Sequence, residues 1–306
     1  MSITTTDAKG DLETDPNASK PQGFRRNKTL FIALTHITLI VLSVTFFMPF
    51  LWMLVTSIKP IKETMTNPPT WIPSQLLWHN YPDAITYDSK ELGYLPFPTY
   101  ARNTLIITLL SVAGPVTSNS LVAYSFARIK WPGRDLFFAL TLATMTIPFP
   151  VLMVPVFSLF RWIGWVGSFK PLWVPAFFAN AFSIFLLRQF FKTIPMELSE
   201  AAKIDGCSEL RIFLDVIAPL SKPALSVVAL FTFMGAWNDF LGPLIYLVDQ
   251  HTFTLSLGLQ AYQSQHGGTQ WNLLMAASVI VVAPVILVFF FAQKVFIQGI
   301  ATSGLK

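Results

Sequence analysis

The chain has 306 residues, 53% hydrophobic and 12% charged, with a formal net charge of +5. Soluble domains carry about twice that share of charge, so the composition describes an integral membrane protein, not a fold with one water-surrounded core. The excess of Lys and Arg fits the cytoplasmic bias of membrane proteins. No basic patch is interleaved with aromatics, which excludes a nucleic-acid partner. The single cysteine, Cys207, rules out a disulfide within the chain. The histidines His36, His79, His251 and His266 are too scattered to read as a ligand set, so no metal site is expected.

Residues 1–28 are polar and predict a disordered tail. Residues 29–306 predict an all-α, polytopic domain of six spans, at about 20 apolar residues each. The candidates are 30–58, 102–127, 136–160, 172–193, 220–247 and 272–296. The first is too long and too far along the chain for a cleaved signal, and reads as a retained anchor. Pro49, Pro148, Pro150, Pro155, Pro175, Pro243 and Pro284 fall within or near the spans, where neighbouring helices re-satisfy the freed carbonyls. A count of five is the alternative, if the proline-broken 136–160 is re-entrant.

With the N-terminus inside, Lys and Arg concentrate on the inner segments, which places both termini in the cytoplasm. The connection 59–101 then lies outside. Its Trp71, Trp78 and Tyr81 suit the membrane interface or a docking surface. The segment 194–219 lies inside, between spans four and five.

That inner segment is unusual for its charge. It reads ELSEAAKIDGCSELRIFLDVIAPLSKP over 197–223. Pro195 suits a first helical position, and Gly206 suits a left-handed C-cap. A helix of about ten residues follows, with Leu198, Ala201, Ala202 and Asp205 expected on one face. A second helix is expected near Ser208, with Leu210, Phe213, Leu214 and Ile217 as its stripe and Arg211–Asp215 as an i,i+4 pair. A helix lying on the lipid surface is one reading. Its small alanines and its acids, which the anionic leaflet repels, favour docking against another protein.

Glu200-Ala201-Ala202, Asp205-Gly206, Phe213 and Pro219-Leu220 resemble the EAA loop of binding-protein-dependent ABC importers. Cys207 stands where a small alanine is commoner. Tyr124 to Arg128, Pro132-Gly133-Arg134, Trp237-Asn238-Asp239-Phe240 and the ending Gln293-Lys294 to Gly299 resemble the permease subunits of maltose- and glycerol-3-phosphate-type systems. The resemblance implies a type I importer permease fold in a prokaryotic cell membrane. It implies that Glu197, Glu200, Ala201, Ala202, Asp205 and Gly206 belong to a coupling helix that docks on an ATPase. It also implies two ATPase subunits, a second permease, an extracytoplasmic binding protein and a sugar substrate. The segment 248–271, with Gly258, Gly267, Gly268, Gln260, Gln263, Gln265 and Gln270, resembles the outer loop that meets the binding protein; a flexible polar loop is the alternative.

No G-x-x-x-x-G-K-[ST] loop is present, so ATP and Mg are expected on the partner and no cofactor on this chain. No set of paired acids, Ser/His or metal ligands predicts catalysis, so the chain is not expected to be an enzyme. Asp239, with Trp237 and Asn238, is the functional candidate within the spans, as a substrate contact or as a helix-pairing or gating group. Asn119 and Asn180 are expected to bond between helices, and Arg188 to snorkel. The competing class is an ion-coupled carrier using Asp239, which would call for an internal repeat and further intramembrane acids.

Overall fold

The computed structural model describes residues 23–178, 180–263 and 268–303. Most of the predicted tail, and residues 264–267 with His266, lie outside it. The chain divides into two units, Met1–Trp52 and Met53–Lys306. Every regular element among the described residues is helical.

The first unit is described as the greater part of helix α1 (Gly23–Ser57). Its apolar side chains, among them Leu30, Phe31 and Phe46, stand exposed, as lipid-facing side chains do. His36 bonds its own helix at the Ile32 carbonyl, 2.7 Å away.

In the second unit the short helix α2 (Asn80–Thr86) lies against α11 (Trp271–Ser303). Buried Asn80 ties three segments together. Its Nδ2 donates to the carbonyls of Ser57 and Lys59 at 2.9 and 3.0 Å, and its Oδ1 accepts from Asn272 at 3.1 Å. Helix α3 runs unbroken from Pro96 to Arg128. It begins six residues before the predicted span because Pro96 and Pro98 sit in a first turn that needs no amide donors. A π turn over Pro115–Asn119 interrupts its spacing, as expected where proline removes a helical N–H.

Helices α4 (Arg134–Ala143) and α5 (Phe149–Trp162) fill predicted span three, but the segments meet at 100° around Ile147–Pro148. Span four is also broken. One turn at Lys170–Trp173 and a 3₁₀ turn at Val174–Phe177 precede helix α6 (Ala181–Thr193). Asn180 caps α6, its side chain accepting from Ser183 N at 2.9 Å. Irregular backbone at membrane depth needs protein partners, and α3 supplies them. Ser118 donates to Phe177 O at 2.6 Å, and Asn119 to Ala176 O at 3.4 Å. Gly114 permits the approach: a Cβ there would lie 2.6 Å from the carbonyl carbon and oxygen of Ala176.

Helix α7 (Glu197–Ile204) follows, then α8 (Glu209–Leu220), which contains a π turn at Phe213–Ile217. The chain bends by 81° into α9 (Lys222–Trp237) and continues through α10 (Leu241–Tyr246) to the loop before α11. Among the described residues, four helical segments are long and apolar enough to cross a membrane, or up to six if each bent pair is one span. The described part of the 248–271 loop is packed. Leu255, Leu257 and Tyr262 are buried, and Asn103 of α3 holds the carbonyls of His251 and Phe253 at 2.8 and 3.0 Å.

Candidate functional site

The charged loop folds around a short helix. Pro195 lies two residues before α7, which opens at Glu197 and spans eight residues, shorter than its sequence predicts. Glu197 and Glu200 occupy the first turn and Lys203 the last, the arrangement that suits the helix dipole. Gly206 has φ +81°, Gly206 N donates to Lys203 O at 3.0 Å, and Cys207 N donates to Ala202 O at 2.9 Å. These two bonds form a Schellman cap.

The burial pattern of α7 corrects the predicted face. Ser199 and Ala202 are buried, and Ala202 joins a cluster with Phe191, Ile194, Ile212 and Phe213. Leu198 and Ala201 are exposed, as are Glu197, Glu200, Lys203 and Asp205. Ile204 is 86% exposed. Successive residues on an α-helix point about 100° apart, so Ala201 and Ala202 cannot serve the same surface.

The stripe of α8 shifts as well. Ile212, Phe213 and Ile217 are buried while Leu210 and Leu214 face outward, because the π turn displaces the 3.6-residue spacing. Ser208 caps the helix, accepting from Arg211 N at 3.4 Å, and Arg211 pairs with Asp215 at 3.2 Å.

Buried polar groups that sequence reasoning missed anchor this loop. Arg128, at the end of α3 and 5% exposed, donates to Ile194 O at 2.6 Å, Pro195 O at 3.3 Å and Met196 Sδ at 3.1 Å. Ile194 is the C-cap of α6. Arg188 of α6 is equally buried and does not snorkel. It donates to Phe126 O at 3.2 Å, lies 3.8 Å over the Phe138 ring, and comes within 3.8 Å of Asp135. Each arginine thus covers the carbonyl end of the other's helix, where cations are favoured. One turn back on α3, Tyr124 OH donates to Glu209 Oε2 at 2.7 Å, and Glu209 Oε1 pairs with Lys203 at 2.5 Å. Burial raises the Glu209 pKa, but hydrogen bonds from Lys203 and Tyr124 and the Lys203 charge outweigh it, holding the carboxyl below the usual range.

The candidates at the end of α9 do not converge. Buried Trp237 donates from Nε1 to Val281 O of α11 at 3.1 Å. Asn238 is exposed and bonds its own helix at Met234 O, 2.8 Å. Asp239 Oδ1 accepts from Gly242 N at 3.0 Å, capping α10, and its carbonyl accepts from Ser256. The Asp239 side chain also borders two open cavities. One, about 460 Å³, is lined by Phe149, Phe160, Leu172 and Tyr246. The other, about 350 Å³, is lined by Ser111, Asn180, Phe182, Phe231 and Thr232. Among the described residues no group of three His, Cys, Asp or Glu could hold a metal ion.

Broken apolar spans with a charged, exposed helix between two of them describe a polytopic membrane protein. The model of the binding-protein-dependent transport system inner membrane component family matches residues 119–302, and the chain belongs to that family. It is the membrane-spanning permease component of a transport system. Its relatives agree. It is 34% identical to the arabinooligosaccharides transport system permease AraQ of Halalkalibacterium halodurans, covering 84% of this chain and 90% of that one. It is 33% identical to the sn-glycerol-3-phosphate permease UgpE of Pectobacterium atrosepticum, covering 91% and 98%. It is 31% identical to the trehalose/maltose permease MalG of Thermococcus litoralis, covering 92% and 99%. Its fold is that of an ABC importer permease. A chain of a crystallised bacterial ABC transporter for alginate superposes with a TM-score of 0.76 at 23% identity, covering 88% of this chain and 97% of that one. None of these relatives is an ion-coupled carrier.

Proposed function

We propose that this chain is one of two permease subunits of a prokaryotic sugar importer, powered by two ATPase subunits and supplied by an extracytoplasmic binding protein. The observation that carries the reading is the outward face of α7. Glu197, Glu200, Ala201 and Ile204 stand on a short helix that is anchored from behind and open in front. A small-residue face flanked by acids suits close approach by a folded partner. The bias of Lys and Arg sets this face in the cytoplasm with both termini. ATP and Mg reside on the partner. ATP and the loaded binding protein must each favour the outward-facing state, or neither can drive transport.

The named relatives carry arabinooligosaccharides, sn-glycerol-3-phosphate and trehalose or maltose, which supports a carbohydrate substrate. Among the described residues no arginine lines the two cavities beside Asp239, and Arg128 and Arg188 are committed to helix-end carbonyls, so a neutral sugar is the better fit. Purification of the tagged chain from its native membrane in mild detergent tests the assembly. An ATPase, a second permease and a binding protein should accompany it; a chain that comes alone contradicts the reading.

Asp239 serves as a helix cap beside the path, at the turn between α9 and α10. Asparagine caps a helix as well as aspartate does, so Asp239→Asn should retain uptake and Asp239→Leu should lose it, measured in whole cells. Loss of uptake in Asp239→Asn would assign the carboxylate to substrate or proton instead.

A further inference from the structure

Eight residues make a helix of about 12 Å, and a helix this short is marginal without tertiary support. Only Ser199 and Ala202 of α7 are buried. A push on such a helix would be absorbed by its two connecting loops unless both were pinned. Both are pinned, and by the same face of one span. Arg128 and Tyr124 are four residues apart on α3, hence on one side of it. Arg128 holds the entry, through the carbonyls of Ile194 and Pro195 and the sulfur of Met196. Tyr124 holds the exit, through the Glu209 carboxylate that also grips Lys203 of α7 itself. The Tyr124 ring packs on Phe213 of α8, centroids 5.4 Å apart. Buried hydrogen bonds to charged groups are the stronger kind, and an orphaned partner is costly.

We infer that Tyr124 and Arg128 are positioning residues that clamp α7 to α3, so that displacement of α7 moves the span instead of bending the loops. The inference rests on the reading of α7 as the ATPase-docking helix. Its consequence is a coupling ratio: an intact clamp converts ATP hydrolysis into sugar uptake, and a broken one lets hydrolysis run without transport.

The test uses the whole complex, with its binding protein, in proteoliposomes. Uptake and ATP hydrolysis are measured on the same sample. Tyr124→Phe removes one oxygen and keeps the ring. It should assemble at wild-type yield with the ATPase bound, while uptake per ATP hydrolysed falls about tenfold, the scale of one hydrogen bond to a charged group. Glu209→Ala, which removes the acceptor, should also lower the ratio, and the double variant should be little worse than Glu209→Ala alone, because both break the Tyr124–Glu209 bond. Arg128→Lys should also lower the ratio, since a single ammonium cannot reproduce the two spaced donor nitrogens, Nη1 and Nη2, that hold Pro195 O and Ile194 O; if it fails to assemble, Tyr124→Phe decides. A ratio that stays at the wild-type value, or yield, uptake and hydrolysis falling in step, overturns the clamp. Co-purification with Ala201→Arg separates the two readings. An ATPase still bound to that variant defeats docking at α7; an ATPase shed there, with an unchanged ratio in Tyr124→Phe, defeats the clamp alone.

Discussion

Ala201→Arg abolishes ATP-driven uptake while the permease itself still folds and inserts. Ala201 is exposed on the outward face of α7. Arginine is nearly as good a helix former as alanine, so the substitution leaves α7 and its Schellman cap in place. It sets a long cationic side chain where a partner surface would approach closely. The ATPase should be shed on purification, and uptake should fall at least about a hundredfold, the equivalent of about 3 kcal/mol of docking. The thermal midpoint of the permease in detergent should not move. Ala202→Arg is a poor substitute for this test. Ala202 is buried against Phe191, Ile194 and Phe213, and a charge placed there is left unpaired in an apolar cluster.

Gly114→Ala is the second large effect, and its origin is steric. The new Cβ would stand 2.6 Å from two backbone atoms of Ala176 and 2.9 Å from Phe177 N. Backbone atoms on both sides cannot swing away as a side-chain tip would. Helix α3 and the 3₁₀ turn of span four must therefore part, which stretches the bonds from Ser118 and Asn119 to Phe177 and Ala176. Overpacking of this kind costs about 1–3 kcal/mol. The thermal midpoint of the purified complex should fall by several degrees, and uptake should fall with it. A midpoint equal to wild type would mean that the two segments are not held in this contact.

Much of this organisation can be read from the residues themselves. Apolar run lengths predict the spans, the charge pattern of 197–223 marks the loop as exceptional, and Gly206 signals the left-handed residue that ends α7. Arg211 and Asp215 pair as their i,i+4 spacing predicts. Local signals fail where rotation about a helix axis matters. The alternation around Ala201 and Ala202 admits more than one inward face, and the packing of Ala202 with Phe191, Ile194, Ile212 and Phe213 decides it. The π turns at Pro115–Asn119 and Phe213–Ile217 displace every later position by part of a turn, which no pattern with a fixed period of 3.6 can anticipate. The crossed arginines are the clearest omission. Arg128 meets Ile194 across 66 residues of sequence, and Tyr124 meets Glu209 across 85. Their i,i+4 spacing on α3 was the available signal. In a membrane protein an arginine near a span end reads first as a snorkelling group, and only the packed structure shows both arginines buried. At Asp239 an acid at membrane depth invites a transport role, while the geometry shows a helix cap beside open space.

The central claim is that this permease moves its substrate with energy delivered through α7. Proteoliposomes containing the complete complex, with ATP sealed inside or withheld and the binding protein supplied on the other side with labelled oligosaccharide, test it most directly. The account predicts uptake that requires ATP and the binding protein together, is indifferent to a proton or sodium gradient, and disappears in Ala201→Arg. Uptake by this chain without ATP, driven by an ion gradient and lost in Asp239→Asn, would contradict it.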